Sequence, residues 1–124
     1  MEGHINLRGI VCHGGRWDMA VMPGVLLQEA DLQRSSLRQC DLRGADLRGI
    51  NLEGSDLEGA NLSGTDLSWA RLRGANFRGA DLRGARVKGA DLTWADLRGA
   101  DLEGVDIDEA DTLHALMDAD VTVA

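Results

Sequence analysis

Ala30-Asp31-Leu32-Gln33-Arg34 opens a five-residue unit that runs in register, without a slipped residue, through Ala100-Asp101-Leu102-Glu103-Gly104. The unit is a small residue, then Asp or Asn, then Leu, then a polar residue, then usually Gly. A repeat this regular is read before any helix or strand. Its apolar positions are the Leu and the small residue two before it, so their spacing alternates two, three, two, three. A helix stripe needs spacings of three and four, and a flat strand needs strict alternation. The pattern fits a short extended side followed by a corner. Ala45 and Leu47 point the same way, Asp46 faces out between them, and Arg48-Gly49 turns the chain. Gly at the corner tolerates backbone angles that a side chain obstructs. Many such sides turning in one sense wind a coil around a column of Leu and Ala. Neighbouring coils then bond through their backbones at a spacing of about 4.8 Å. The number of sides per coil does not follow from the pattern alone.

The run Ala45-Asp46-Leu47-Arg48-Gly49 through Ala100-Asp101-Leu102-Glu103-Gly104 resembles the pentapeptide repeat protein family, whose signature is A(D/N)LXX. The resemblance implies an all-β solenoid, a right-handed quadrilateral (square) β-helix with four pentapeptides per coil and about five coils here. It also raises the functions found in that family, among them inhibition or protection of type II topoisomerases by DNA mimicry, of the quinolone-resistance type.

The chain has 124 residues, which fits one domain with a thin core. Its net charge of −8 disfavours direct nucleic-acid binding, which needs Lys and Arg to neutralise phosphates. No signal peptide and no apolar run of membrane-spanning length is read, so no membrane partner is expected. Cys12 and Cys40 both fall at inward positions of the frame, where they act as small hydrophobes, and a reduced, cytoplasmic setting follows.

Residues 1–24 read as a degenerate first coil and N-terminal cap. There Trp17 and Met22 take the central positions and plug the end, while Val11 and Val21 face outward. Residues 25–109 form the regular β-helix. In residues 110–124 the Gly disappears, and Leu113, Leu116 and Met117 recur at spacings of three and four. That pattern predicts a short capping helix near residues 110–118, with Asp108 or Asp111 as N-cap. Such a helix is too short to stand alone. It either covers its own last coil or pairs with a second copy in a homodimer.

With twenty residues per coil, Asp41, Asn61, Asp81 and Asp101 form one outward row, an acidic ladder beside Arg43 and Arg83. Two corners carry Trp69 and Trp94 in place of Gly, at opposite edges of one side, with Arg71, Arg73 and Asp91 between them. Exposed Trp and Arg are the residue types that dominate interface energetics, so this side is a candidate protein-binding face. Alternatively each indole lies flat across neighbouring glycine corners, Trp69 over Gly49 and Gly89 and Trp94 over Gly74.

Catalytic chemistry is not read in the chain. His13 beside Cys12 and Asp18 matches no zinc spacing, no nucleophile–His–acid set has a motif around it, and a convex rod lacks a deep pocket. The expectation is a non-enzyme with no cofactor and no metal. It acts as a rigid scaffold for an unknown protein partner or, alternatively, as a DNA mimic acting on DNA gyrase.

Overall fold

A computed structural model describes residues 4–119. Parallel bridges join residues twenty apart, from Asn6 with Leu26 to Asp96 with Leu116. A coil therefore takes four five-residue sides, and the bridges span between five and six coils. Each regular side donates three bonds to its neighbours and accepts three. Leu47 N–H donates to Asp66 O at 2.9 Å and Gly49 N–H to Ser68 O at 3.0 Å in the coil ahead, while Asp46 N–H donates to Val25 O at 3.0 Å in the coil behind. A fourth bond closes the corner, from Ile50 N–H to Leu47 O at 3.1 Å.

The corner residue takes a positive φ, the geometry that a type II turn requires at its third position. Gly49, at φ 67, adopts it freely. Seven side chains accept the same strain: Met19, Glu29, Arg34, Gln39, Trp69, Trp94 and His114. Each costs on the order of 1 kcal/mol relative to Gly, which the bonds above and below the corner offset.

Inside runs one column, including Leu47, Leu57, Leu62 and Leu72, all fully buried, with Phe77 1% exposed. Each buried Leu contributes about 1.5–3 kcal/mol relative to an exposed one. Ser55 and Thr65 stand at small-residue positions and satisfy their hydroxyls on Leu32 O and Leu62 O. Cys40 is buried and Cys12 half-buried, both as free thiols on the inner face. At the N-terminal end, Met22 joins the core, Trp17 packs against it half-buried, and Val11 and Val21 are exposed.

The C-terminal capping helix does not form. The only helical turn among the described residues is a single 3-10 turn, Ile107–Glu109. The five-residue frame continues past it instead. Asp111 bridges Asp91 and Leu116 bridges Asp96, with Leu92 N–H donating to Asp111 O at 2.8 Å and Leu97 N–H to Leu116 O at 2.7 Å. Leu113 and Leu116 are exposed, and only Met117 of the three reaches the core. The exposed edge of the preceding coil offers backbone donors to any extended segment, and a helix over 110–118 would leave them bare. The structure thus removes the helix that was to cover the last coil or pair with a second copy. The tail residues 120–124 lie outside the described residues.

Candidate functional site

The side formed by units starting at Ile10, Ala30, Ile50, Ala70, Ala90 and Ala110 is called side I here. The side preceding it, with units starting at Ile5, Val25, Ala45, Thr65, Ala85 and Val105, is side IV. Trp69 is the corner between sides IV and I, and Trp94 closes side I one coil further on. Arg71 lies between Asn51 and Asp91 on the outward row of side I, its bridges running to both. The five residues expected on one face, Trp69, Arg71, Arg73, Asp91 and Trp94, therefore do share it.

The two indoles are held differently from expectation. A Cβ on Gly89 would collide with Cε3 and Cζ3 of Trp69, so that indole lies on Gly89. A Cβ on Gly49 would instead meet the Glu29 carboxylate, and one on Gly74 would meet nothing within 4 Å. Trp69 thus covers one glycine corner, not two, and Trp94 does not cover Gly74. Trp94 stacks on His114, ring centroids 4.4 Å apart and planes at 26°. One rule unites these contacts. At a positive-φ corner the side chain leans over the corner twenty residues ahead, as Gln39 does over Gly59 and Arg34 over Gly54. Both indoles remain open on their outer face, Trp69 64% exposed and Trp94 56% exposed. An open depression of about 360 Å³ beside Trp69 is lined by Glu29, Asp31, Gly49, Asn51 and Arg71.

Asp91 is tied down locally. Its Oδ1 accepts Thr93 Oγ1–H at 2.6 Å and Thr93 N–H at 3.0 Å. Arg73 makes only a long 3.4 Å bond to Thr93 Oγ1. Arg71 has no hydrogen bond or ion pair from its guanidinium to any described residue.

The acidic ladder stacks as its spacing requires, Asp41 to Asn61 to Asp81 to Asp101. Its charge is largely answered from within. Arg43 forks onto Asp41 at 2.9 and 2.8 Å, and Arg83 onto Asp81 at 2.9 and 2.7 Å. Arg83 also approaches Asp101 at 3.9 Å. The same fork joins Arg48 to Asp46 and Arg98 to Asp96. It arises wherever the unit reads Asp-Leu-Arg, because residues two apart on a side face the same way. The bond from each Arg holds these four carboxyls below their ordinary value near 3.8. The sequence places Arg43 and Arg83 beside the ladder; the two-pronged fork within each Asp-Leu-Arg triplet is what the structure adds.

His13 bonds Asp31 at 2.8 Å, and Asp18 bonds Ser36 and the Arg38 N–H, so the two acids belong to separate contacts. Among the described residues no group of three or more His, Cys, Asp or Glu is placed to hold a metal. No helix among them is long and apolar enough to cross a membrane.

A parallel β-solenoid with a twenty-residue coil, Leu-centred sides and left-handed Gly corners defines a class of repeat protein. A family model described as pentapeptide repeats matches residues 5–44, 40–79 and 75–111, with 8 copies, and the chain belongs to this family. It is similar to the crystal structure of Rfr23, a pentapeptide repeat protein from the cyanobacterium Cyanothece 51142. That match has 31% identity and a TM-score of 0.86, covering 92% of this chain and 91% of that one. The fold is also that of trypsin-treated R167E QnrB1, a plasmid-mediated fluoroquinolone resistance protein, at 20% identity and a TM-score of 0.54, covering 92% and 76% of the two chains. These neighbours carry the right-handed quadrilateral β-helix. No curated protein matches the sequence.

Proposed function

We propose that the chain is a non-catalytic protein-interaction scaffold, a rigid rod whose side I binds a protein partner through Trp69, Arg71, Arg73, Asp91 and Trp94. The observation that carries this reading is the exposure of two indoles, 64% and 56%, at opposite edges of one side. A large aromatic surface beside Arg is the composition of an interface centre. The backbone beneath both indoles is held by bonds to neighbouring coils, Trp69 N–H to Lys88 O and Trp94 N–H to Leu113 O, which lowers the ordering cost of binding. A cytoplasmic setting fits the two free thiols. The acidic ladder supports DNA mimicry less well, since Arg43 and Arg83 already occupy the oxygens that a topoisomerase groove would meet.

The test compares proteins captured from a lysate of the source organism by the immobilised chain and by Trp69→Ala/Trp94→Ala. The expected result is a set of proteins lost with the double variant while its circular dichroism is unchanged. Identical capture by both would refute the assignment of side I. Salt-sensitive inhibition of gyrase supercoiling that survives the double variant, and falls on Asp81→Asn/Asp101→Asn, would replace the scaffold with the DNA-mimic reading.

A further inference from the structure

We infer that the Trp69 corner recognises an acidic segment of the partner protein. This rests on side I being the partner face and supplies that partner's chemistry. Within residues 25–109 the outward position before the central residue is Asp, Asn, Ser or Leu in every unit but two, where it is Arg71 and Arg86. Each is followed two residues later by a second cation, Arg73 and Lys88. The fold brings these four together. Arg71 and Arg73 lie on side I immediately after Trp69. Arg86 and Lys88 lie on side IV one coil ahead, immediately before Gly89, the glycine on which the Trp69 indole rests.

All four cations are exposed, and none forms an ion pair with a carboxylate among the described residues. The cause is the same substitution that places them. The Arg fork seen at Arg43, Arg48, Arg83 and Arg98 needs Asp two residues earlier in the same unit. Arg73 and Lys88 find Arg71 and Arg86 there instead. The corner thus gathers four cations with no carboxylate fork beside an open indole, in a chain of net charge −8, bounded on the N-terminal side by Glu29 and Asp31 in the depression behind Trp69.

Its size selects the ligand. Asp66 lies one coil behind Arg86 on the same row, and Asp91 one coil ahead of Arg71. A nucleic-acid strand long enough to release counterions would run from the cations onto these carboxylates. A short Asp/Glu segment with one apolar side chain for the indole fits within the cluster, its carboxylates on Arg71, Arg73, Arg86 and Lys88.

The test uses the full chain and Arg71→Asp/Arg86→Asp, with a labelled Glu/Leu peptide, its Lys/Leu counterpart and an oligothymidylate of equal length as probes, read by fluorescence anisotropy. Both substitutions restore the residue found in other units and create Asp-x-Arg and Asp-x-Lys pairs, so folding is expected to hold. Lys88→Glu is the second variant. The expected result is saturable binding of the Glu/Leu peptide that weakens with salt and falls by about tenfold or more in either variant, with no binding of the Lys/Leu peptide. Unchanged affinity in both variants, or tighter binding of the oligothymidylate, would overturn the inference. If captured proteins depend on Trp69 and Trp94 but not on Arg71 and Arg86, side I remains the partner face and only its acidic ligand is wrong.

Discussion

Replacing Gly89 by Ala isolates the seat of the Trp69 indole from the general cost of a corner. Two effects meet at this position. At φ 68 the added Cβ is in the left-handed region, a strain of about 1–2 kcal/mol. The Cβ also occupies the space of Cε3 and Cζ3 of Trp69, so the indole must leave. Trp69 is 64% exposed, so roughly a third of a side chain of about 250 Å² is covered. At about 25 cal/mol per Å² its displacement costs at most about 2 kcal/mol. The expected total is about 3–4 kcal/mol for Gly89→Ala. Gly84→Ala, at φ 69 with nothing within 4 Å of the new Cβ, should cost only the strain. In a Trp69→Ala background, Gly89→Ala should fall to the Gly84→Ala value, a coupling of about 2 kcal/mol. Urea unfolding followed by circular dichroism, with an unchanged m-value, measures all five proteins. Equal losses for Gly84→Ala and Gly89→Ala, or additivity with Trp69→Ala, would refute the indole's placement.

Three further outcomes are expected. The Asp41, Asp46, Asp81 and Asp96 carboxyls are held below 3.8 in the folded chain, so their contribution is present above that value and is lost as pH falls through the lower folded values. Urea midpoints should therefore be level from neutral pH to about 5 and drop below about 4, less steeply in Asp96→Asn; a pH-independent midpoint would count against the forks. Burial pushes the Cys40 thiol up to about 12, so iodoacetamide should label Cys12 first and reach Cys40 only with unfolding, as mass spectrometry of timed samples would show. Leu113→Ser should change stability by less than about 0.5 kcal/mol because the side chain is 63% exposed, whereas a loss above about 1 kcal/mol would restore a docked helix.

The coil was legible because its evidence is redundant. Each unit from Ala30 to Gly104 states the same inward pair and the same corner, and the twenty-residue bridges follow once four sides are granted. At the C-terminal end that redundancy ran out. Leu113, Leu116 and Met117 satisfy a helical spacing, yet Ala110, Asp111 and Thr112 also satisfy the five-residue frame, and three residues cannot separate the two. The waiting backbone edge of the coil behind decided it. The shared face of Trp69, Arg71, Arg73, Asp91 and Trp94 was legible from the period alone. Which way each indole falls was not, because that depends on the Cα–Cβ direction at a positive φ. The Asp-Leu-Arg forks escaped for another reason. The period places Arg beside Asp, but a fork needs the Arg side chain to fold back over its own side, which spacing does not specify.

The one-way lean of the corner side chains gives the rod a grain, like overlapping roof tiles. A bulky residue at a corner makes its demand on the corner ahead and leaves the corner behind untouched. Beyond Gly24, on which His4 already lies, the column Gly44, Gly64, Gly84 and Gly104 is therefore a blank edge on which new side chains can be laid. An aromatic residue at position 44 or 64 would find a glycine waiting. One at position 49 would meet Trp69 and have to stack on it, as Trp94 does on His114, whereas Glu29, Gly49, Trp69 and Gly89 alternate large and small along their column.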